Sequence, residues 1–135
     1  METIIMDKDI NILYIEAESF PEGIVDAHKK LHALIPFIKD RKYFGISRPE
    51  KGIITYKAAA EEKKEDEVEK LNFATLVLKK GKYISITIKD YKKDLKSIGK
   101  AFESLLSFPG IDPQGYCVEW YLTDEDMKCM IRLTD

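Results

Sequence analysis

The chain has 135 residues, of which 44% are hydrophobic and 34% are charged. This length suits one domain, 1–135, and the composition argues against a disordered chain. Lys and Arg number 22 against 24 Asp and Glu, so the net charge of −2 offers no basic excess to neutralise phosphates, and direct nucleic-acid binding is not expected. Residues 1–11 contain acids and no long apolar run, so we expect neither a signal peptide nor a membrane span and predict a cytoplasmic protein.

The predicted elements form two similar halves in chain order. Those of the first half are a strand at 10–17, a helix with an apolar stripe from Ile24 to Ile35, and strands at 42–48 and 53–59. Those of the second half are strands at 73–78 and 82–88, expected to pair with each other, a helix at 91–108, and strands at 116–122 and 127–133. The charged run at 61–70 between them predicts a solvated linker.

The two halves predict a tandem duplication of a strand-helix-strand-strand unit. Apolar positions recur without a gap at an offset of 71 residues, as in Ile15 with Ile86. Repeat 1 would span about 10–60 and repeat 2 about 72–135. With three extra residues allowed in the second loop, Gly45 aligns with Glu119, so the carboxylate breaks the internal symmetry at a position where its counterpart is the smallest residue. That makes Glu119 the leading candidate for a functional residue.

The strand around Glu119 has two different faces. Alternation places Tyr116, Val118, Trp120 and Leu122 on one face, and Cys117, Glu119 and Tyr121 on the other. We assign the Trp120 face to the helix-covered core and the Glu119 face to a groove.

The neighbours of Glu119 follow from the pairing of its strand with the next one. If Leu122 lies opposite Met127, then Glu119 lies opposite Met130. Together with Tyr121, Tyr83 and Tyr56, Met130 would then give the carboxylate an aromatic and apolar lining that suits flat or cationic ligands. The alternative is a weak surface ion pair of Glu119 with Lys128 or Arg132.

Metal and disulfide chemistry are not expected. His28 and His32 are four residues apart on one helix, but Lys29 follows His28 where the zinc-protease motif has glutamate, so we predict no metal site and no cofactor. The inferred register puts Cys117 and Cys129 on opposite faces, and both are predicted to be free thiols.

Several short motifs occur in an order typical of one known family. They are Phe20-Pro21-x-Gly23-Ile24, Tyr43-x-Gly45-Ile46-Ser47, Gly81-x-Tyr83 and Gly115-Tyr116-Cys117-Val118-Glu119-x-Tyr121. In this order and spacing the chain resembles the GyrI-like effector-binding domain over nearly its whole length. The resemblance implies an α+β fold with two helices on one side of an antiparallel sheet and a ligand groove on the other. In transcription regulators of that family, a buried glutamate meets the charge of lipophilic or cationic drugs, and Glu119 matches its motif.

The resemblance implies three functional hypotheses. The first is a stand-alone module, without a DNA-binding domain, that binds an apolar or cationic ligand; its ligand-binding residues would be Glu119, Tyr121, Tyr83, Tyr56, Met130, Gly45 and Cys117. The second is a hydrolase of reactive cyclopropane-type toxins, in which Glu119 acts as general base or acid and Tyr83 or Tyr121 orients the substrate. The third is a protein-interaction module with a partner such as gyrase. The ligand, and whether the protein is a monomer or a homodimer, stay open.

Overall fold

Alternating apolar residues form strands, and apolar residues three and four apart form helices, over most of the ranges expected from the sequence. The computed structural model describes residues 1–35, 38–63 and 73–135. Its elements are β1 (Glu2–Met6), β2 (Ile10–Glu16), α1 (Ile24–Leu34), β3 (Tyr43–Glu50), β4 (Ile53–Glu61), β5 (Ala74–Leu78), β6 (Gly81–Ile88), a 3-10 turn (Tyr91–Lys93), α2 (Lys96–Leu106), β7 (Cys117–Tyr121) and β8 (Met127–Arg132). In the described part of the chain, neither helix is long and apolar enough to cross a lipid bilayer.

The structure departs from the expected elements in three places. Strand β1 was not predicted, because its side chains are mostly exposed and do not show the apolar pattern of a buried strand, although it pairs with β6. The helix predicted at 91–108 is divided into the 3-10 turn and α2. The predicted linker at 61–70 begins inside β4, which includes Glu61, and its residues 64–70 lie outside the described residues.

All eight strands belong to one antiparallel sheet, in the order β1-β6-β8-β7-β3-β4-β2-β5. The predicted pairing of 73–78 with 82–88 is wrong, because β5 pairs with β2 whereas β6 pairs with β1 and β8. Only Lys79 and Lys80 join β5 to β6, although the two strands belong to opposite ends of the sheet. So short a connection requires the ends to approach each other, and the sheet curls into a half-barrel.

Both helices pack on the outer face of the curled sheet, as predicted. Helix α1 buries Ala27 and Leu31 against side chains of β2 and β4, and α2 buries Ala101 and Leu105 against β6 and β8. The inner face is filled by a separate apolar cluster that includes Ile12, Phe44, Ile46, Tyr83, Val118 and Met130. The face without helices is therefore a packed core rather than the ligand groove that we expected there.

The strand order is symmetric about the contact between β3 and β7. In each half, the strand before the helix pairs with the second strand of the following hairpin, and β1 and β5 each pair with a strand of the other half. A duplicated unit would give this order, but the order does not test whether the halves share an origin. The duplication stays a prediction.

Candidate functional site

The register between β7 and β8 decides which side chains surround Glu119. Tyr121 lies opposite Met127, and Glu119 lies opposite Cys129. The expected pairing of Glu119 with Met130 is wrong by one residue, and a shift of one residue moves a strand's partners to the other face. Met130 and Tyr83 consequently belong to the inner cluster, away from Glu119, and the Tyr83 hydroxyl donates to the carbonyl of Lys79 at 2.6 Å.

The same correction applies to the faces of β7. Val118 and Trp120 pack with the inner cluster, whereas Cys117 and Tyr121 pack with the cluster that contains α2. Glu119 shares their face and is connected to His28 of α1 through the Tyr121 hydroxyl, which donates to Glu119 and lies 3.4 Å from His28. We expected the Trp120 face to be covered by the helices, and the structure places the Glu119 face there instead.

Two tyrosine hydroxyls hold the Glu119 carboxylate. The Tyr121 hydroxyl donates to Oε1 at 2.8 Å and the Tyr56 hydroxyl donates to the same oxygen at 2.9 Å. The two hydroxyl oxygens are 3.1 Å apart. Tyr121 stands two residues after Glu119 on β7, whereas Tyr56 arrives from β4 across β3.

Gly45 provides the space in which Tyr56 and Glu119 meet. It lies on β3 between them, directly opposite Glu119 on one side and Ala58 on the other. A Cβ atom at Gly45 would clash with the Tyr56 hydroxyl and would lie 2.5 Å from Oε1 of Glu119. The glycine is thus needed for a close approach between side chains. Gly45 and Glu119, which were aligned with each other in the comparison of the two halves, are also direct neighbours across β3 and β7.

His28 completes this group and was missed as a member of it. Its Nε2 atom lies 2.8 Å from the Tyr56 hydroxyl and 3.4 Å from that of Tyr121. Since both hydroxyl protons point to Glu119, the network assigns the proton of the imidazole to Nε2, which donates to Tyr56. Burial, and to a lesser extent His32, lower the pKa of His28 to about 4, so the ring is neutral at pH 7. We refer to Glu119, Tyr56, Tyr121, His28 and Gly45 as the carboxylate site.

Aromatic rings surround the carboxylate site. The ring of Tyr121 has its centroid 5.4 Å from that of His28 and 6.1 Å from that of Tyr91. The Tyr56 ring stacks on Phe20 at 6.1 Å. Tyr91, in the 3-10 turn, is a second residue that sequence reasoning missed; its pKa is raised by burial and by the charge of Glu119.

The electrostatics of Glu119 are those of an acid without a counter-ion. Burial raises its pKa, and the hydrogen bonds from Tyr121 and Tyr56 oppose that shift without cancelling it. Among the described residues, no lysine or arginine forms an ion pair with it. Glu119 as a residue is partly buried, and burial of its carboxyl group is the largest influence on its pKa. The alternative of a surface pair with Lys128 or Arg132 is wrong, since these two cations pair with Glu2, Asp112 and Asp135.

The two thiols lie on the same face as Glu119, which corrects the expected separation. Cys129 is directly opposite Glu119, and Cys117 is two residues before it. Both are free. Burial raises the pKa of Cys117 and brings that of Cys129 to about 12, with a further contribution from the charge of Glu119. Neither is therefore a ready nucleophile at pH 7.

No metal-binding cluster of three or more His, Cys, Asp or Glu side chains occurs within the residues that the structure describes. His28 and His32 instead stack on each other, with ring centroids 6.4 Å apart.

A cavity of about 370 Å³ has Tyr56, one member of the carboxylate site, among its lining residues. Its other walls include Ala17, Phe20, Ile53 and Ile54. A second cavity of about 80 Å³ lies beside Tyr83, on the other side of the sheet from Glu119.

Comparison with known proteins places the fold but names no family. No protein-family model matches the chain, and no curated protein matches it. Among solved structures, it is similar to VCH_CASS2, an integron cassette protein from the mobile metagenome of Vibrio cholerae, with a TM-score of 0.73 and 10% identity over 98% of this chain and 94% of that one. It is also similar to SAV2435 bound to tetraphenylphosphonium, with a TM-score of 0.69 and 11% identity over 99% and 94%. A hydrolase from Listeria innocua follows at a TM-score of 0.56 and 8% identity over 98% and 90%. At these identities the likeness shows that the chain has the fold of these proteins, a fold in which SAV2435 holds a lipophilic cation.

Proposed function

We propose that this protein is a GyrI-like effector-binding module for a lipophilic cation, with Glu119 as the counter-charge. The observation that carries the proposal is the carboxyl group of the partly buried Glu119, which aromatic rings surround and which has no cationic partner among the described residues. A carboxylate in such surroundings is unfavourable until a cation compensates it.

The arrangement leaves one side of the carboxylate for a ligand. Both tyrosine hydroxyls bind Oε1, and among the described residues no hydrogen bond is made to Oε2. A cation beside Oε2 would also meet the rings of Tyr91 and Tyr121, whose faces attract positive charge by about 0.5–2 kcal/mol each. A bulky cation without N–H donors suits this site because the attraction is to a charge and to ring faces rather than to one directed hydrogen bond.

The expected contribution of Glu119 follows from Coulomb's law. Two unit charges about 4 Å apart attract by about 4 kcal/mol at an effective dielectric constant near 20. Partial exposure of Glu119 reduces this, so we expect about 1.5–3 kcal/mol, or about 10–150-fold in affinity.

The sequence motifs and a structural neighbour support the same function. The chain carries the family's motif order around Gly45 and Glu119, and SAV2435, which shares the fold, is bound to tetraphenylphosphonium. The neighbour's ligand also provides the probe for the test.

Calorimetric titration with tetraphenylphosphonium and with neutral triphenylphosphine oxide tests the proposal. Glu119→Gln should lower the affinity for the cation by about 10–150-fold and change the affinity for the neutral compound by less than about twofold. Glu103→Gln, the same substitution at an exposed position of α2, serves as the matched control and should change neither. Equal losses for cation and neutral compound in Glu119→Gln would remove the counter-charge role.

A hydrolase is the second candidate, favoured by the raised pKa of Glu119. In that reaction Glu119 would take a proton from a water molecule while the water oxygen forms a bond to an electrophilic ring carbon of an activated cyclopropane. The ring carbon–carbon bond would break, and the released electron pair would take up a proton at the other carbon. Turnover of such compounds that is lost in Glu119→Gln would establish this activity, and no turnover by the wild-type protein would exclude it.

A further inference from the structure

We infer that the 370 Å³ cavity beside Tyr56 receives an unbranched apolar chain carried by the same ligand whose cationic head lies at Glu119. This inference rests on the proposed function and names the ligand class more closely as a cation with an alkyl chain.

Tyr56 connects the cavity to the carboxylate site. Its hydroxyl donates to Glu119 at 2.9 Å and its ring stacks on Phe20, and both Tyr56 and Phe20 are lining residues of the cavity. A chain that leaves a cation at Glu119 and follows the Tyr56 ring therefore arrives at the cavity. A volume of about 370 Å³ is within the range of small-molecule sites.

Part of the cavity lining consists of apolar side chains that are exposed to water, beside the polar residues Glu16, Glu18, Ser19 and Thr55. Phe20 is 41% exposed and Ile54 is 47% exposed, and neither belongs to one of the apolar clusters. Each methylene group moved from water to such walls contributes enough free energy to tighten binding by about fourfold when it is fully buried.

The charges at the cavity favour a cation over an anion. Glu16 and Glu18 belong to its lining, and none of the described residues that line it is a lysine or arginine. Glu16 also pairs with Lys57 at 3.4 Å, and Glu18 pairs with Lys30 at 3.6 Å through two largely exposed side chains. A fatty acid of the same length should meet repulsion here and at Glu119.

Alkyltrimethylammonium ions from butyl to decyl, used below their micelle concentrations, provide the test. In the wild-type protein, affinity should rise about threefold to fourfold per methylene once the chain is long enough to pass Tyr56. Ile54→Ser should flatten that rise and leave the butyl compound unchanged; Phe20→Ala should act in the same direction. Ile5→Ser, another exposed isoleucine on a strand (67% exposed, on β1), is the matched control and should keep the wild-type rise.

Two outcomes separate this inference from the proposed function. Glu119→Gln should weaken every member of the series by the same factor and preserve the rise with chain length. If Glu119→Gln changes nothing, the proposed function fails, whereas an equal rise in Ile54→Ser, Phe20→Ala and wild type overturns the cavity assignment. Decanoate binding as tightly as decyltrimethylammonium would overturn the choice of a cation.

Discussion

Replacing Gly45 with alanine places a methyl group where the Tyr56 hydroxyl meets the Glu119 carboxylate. The added carbon would overlap the hydroxyl, lie 2.5 Å from Oε1 of Glu119 and lie 2.8 Å from the ring carbon that bears the hydroxyl. Gly45 is buried in the middle of the sheet, between β4 and β7, so its backbone cannot move away easily. The Tyr56 side chain must therefore leave the carboxylate.

The cost of that movement has three parts. A hydrogen bond to a charged group contributes about 1.5–3 kcal/mol, and forcing a carbon into a packed site costs about 1–3 kcal/mol. Alanine recovers about 0.5–1 kcal/mol, because glycine loses more backbone freedom on folding. Since the displaced tyrosine relieves part of the overlap, we expect Gly45→Ala to lower the free energy of unfolding by about 2–4 kcal/mol.

Urea denaturation followed by circular dichroism measures this loss. Gly99→Ala is the matched control, because a Cβ atom there meets no atom within 4 Å and lies in α2; it should stabilise the protein by about 0.5–1 kcal/mol. Adding Tyr56→Phe to Gly45→Ala removes the hydroxyl that clashes. The loss of stability in the double variant should therefore be smaller than the sum of the losses in the two single variants by about 1 kcal/mol or more. A Gly45→Ala protein as stable as wild type, or losses that simply add, would refute the close contact.

Three further predictions concern ionisation. Burial raises the folded-state pKa of Glu119, so its protonation stabilises the fold at low pH and this stability is lost as the pH rises through the folded pKa. Glu119→Gln should therefore gain stability relative to wild type as the pH rises above the ordinary glutamate value of 4.5, and a difference that does not change with pH would contradict this. The folded-state pKa of His28, about 4, is below its ordinary value of 6.5, so wild type should lose stability as the pH falls between these values, and an unchanged slope in His28→Gln would show that another group is responsible. Finally, Cys129 should resist thiol reagents at pH 8 in the native protein and react after denaturation, whereas fast native labelling of Cys129 in a Cys117→Ala background would show that it is not buried beside Glu119.

Local patterns in the sequence predicted the elements because each pattern depends on nearby residues. The alternation of β2, β3 and β4 and the apolar stripes of the helices are present as expected. The pairing of strands was predicted less well. A connection as short as Lys79–Lys80 indicates a hairpin, yet here it joins opposite ends of a curled sheet, and the curl is a property of the whole sheet.

The wrong pairing of Glu119 with Met130 has a local cause. The turn between β7 and β8 closes with the amide of Leu122 on the carbonyl of Asp126, and the Thr123 hydroxyl accepts hydrogen bonds from the amides of Glu125 and Asp126. That turn sets Tyr121, rather than Leu122, opposite Met127. Sequence alone does not fix this choice, and the one-residue difference moved the predicted partners of Glu119 to the wrong face.

The structure nevertheless places several of the predicted residues close together. Five of them lie on one face of the sheet, namely Glu119, Tyr121, Tyr56, Gly45 and Cys117. Their proximity could be predicted because strand alternation and the alignment of the two halves do not depend on the register between β7 and β8. His28 was considered only as a metal ligand; its contact with Tyr56 depends on how α1 docks on the sheet, which no short-range pattern reports. Whether these residues bind a ligand stays a prediction.

The position of a bound cation tests the central claim most directly. Tetraphenylarsonium is a lipophilic cation whose arsenic atom can be located by anomalous diffraction from soaked crystals. The arsenic should lie within about 6 Å of the Glu119 carboxylate and of the Tyr121 ring, on the helix-covered face of the sheet. An arsenic peak on the inner face beside Tyr83, or no ordered arsenic at a concentration that saturates binding in solution, would contradict the role of Glu119.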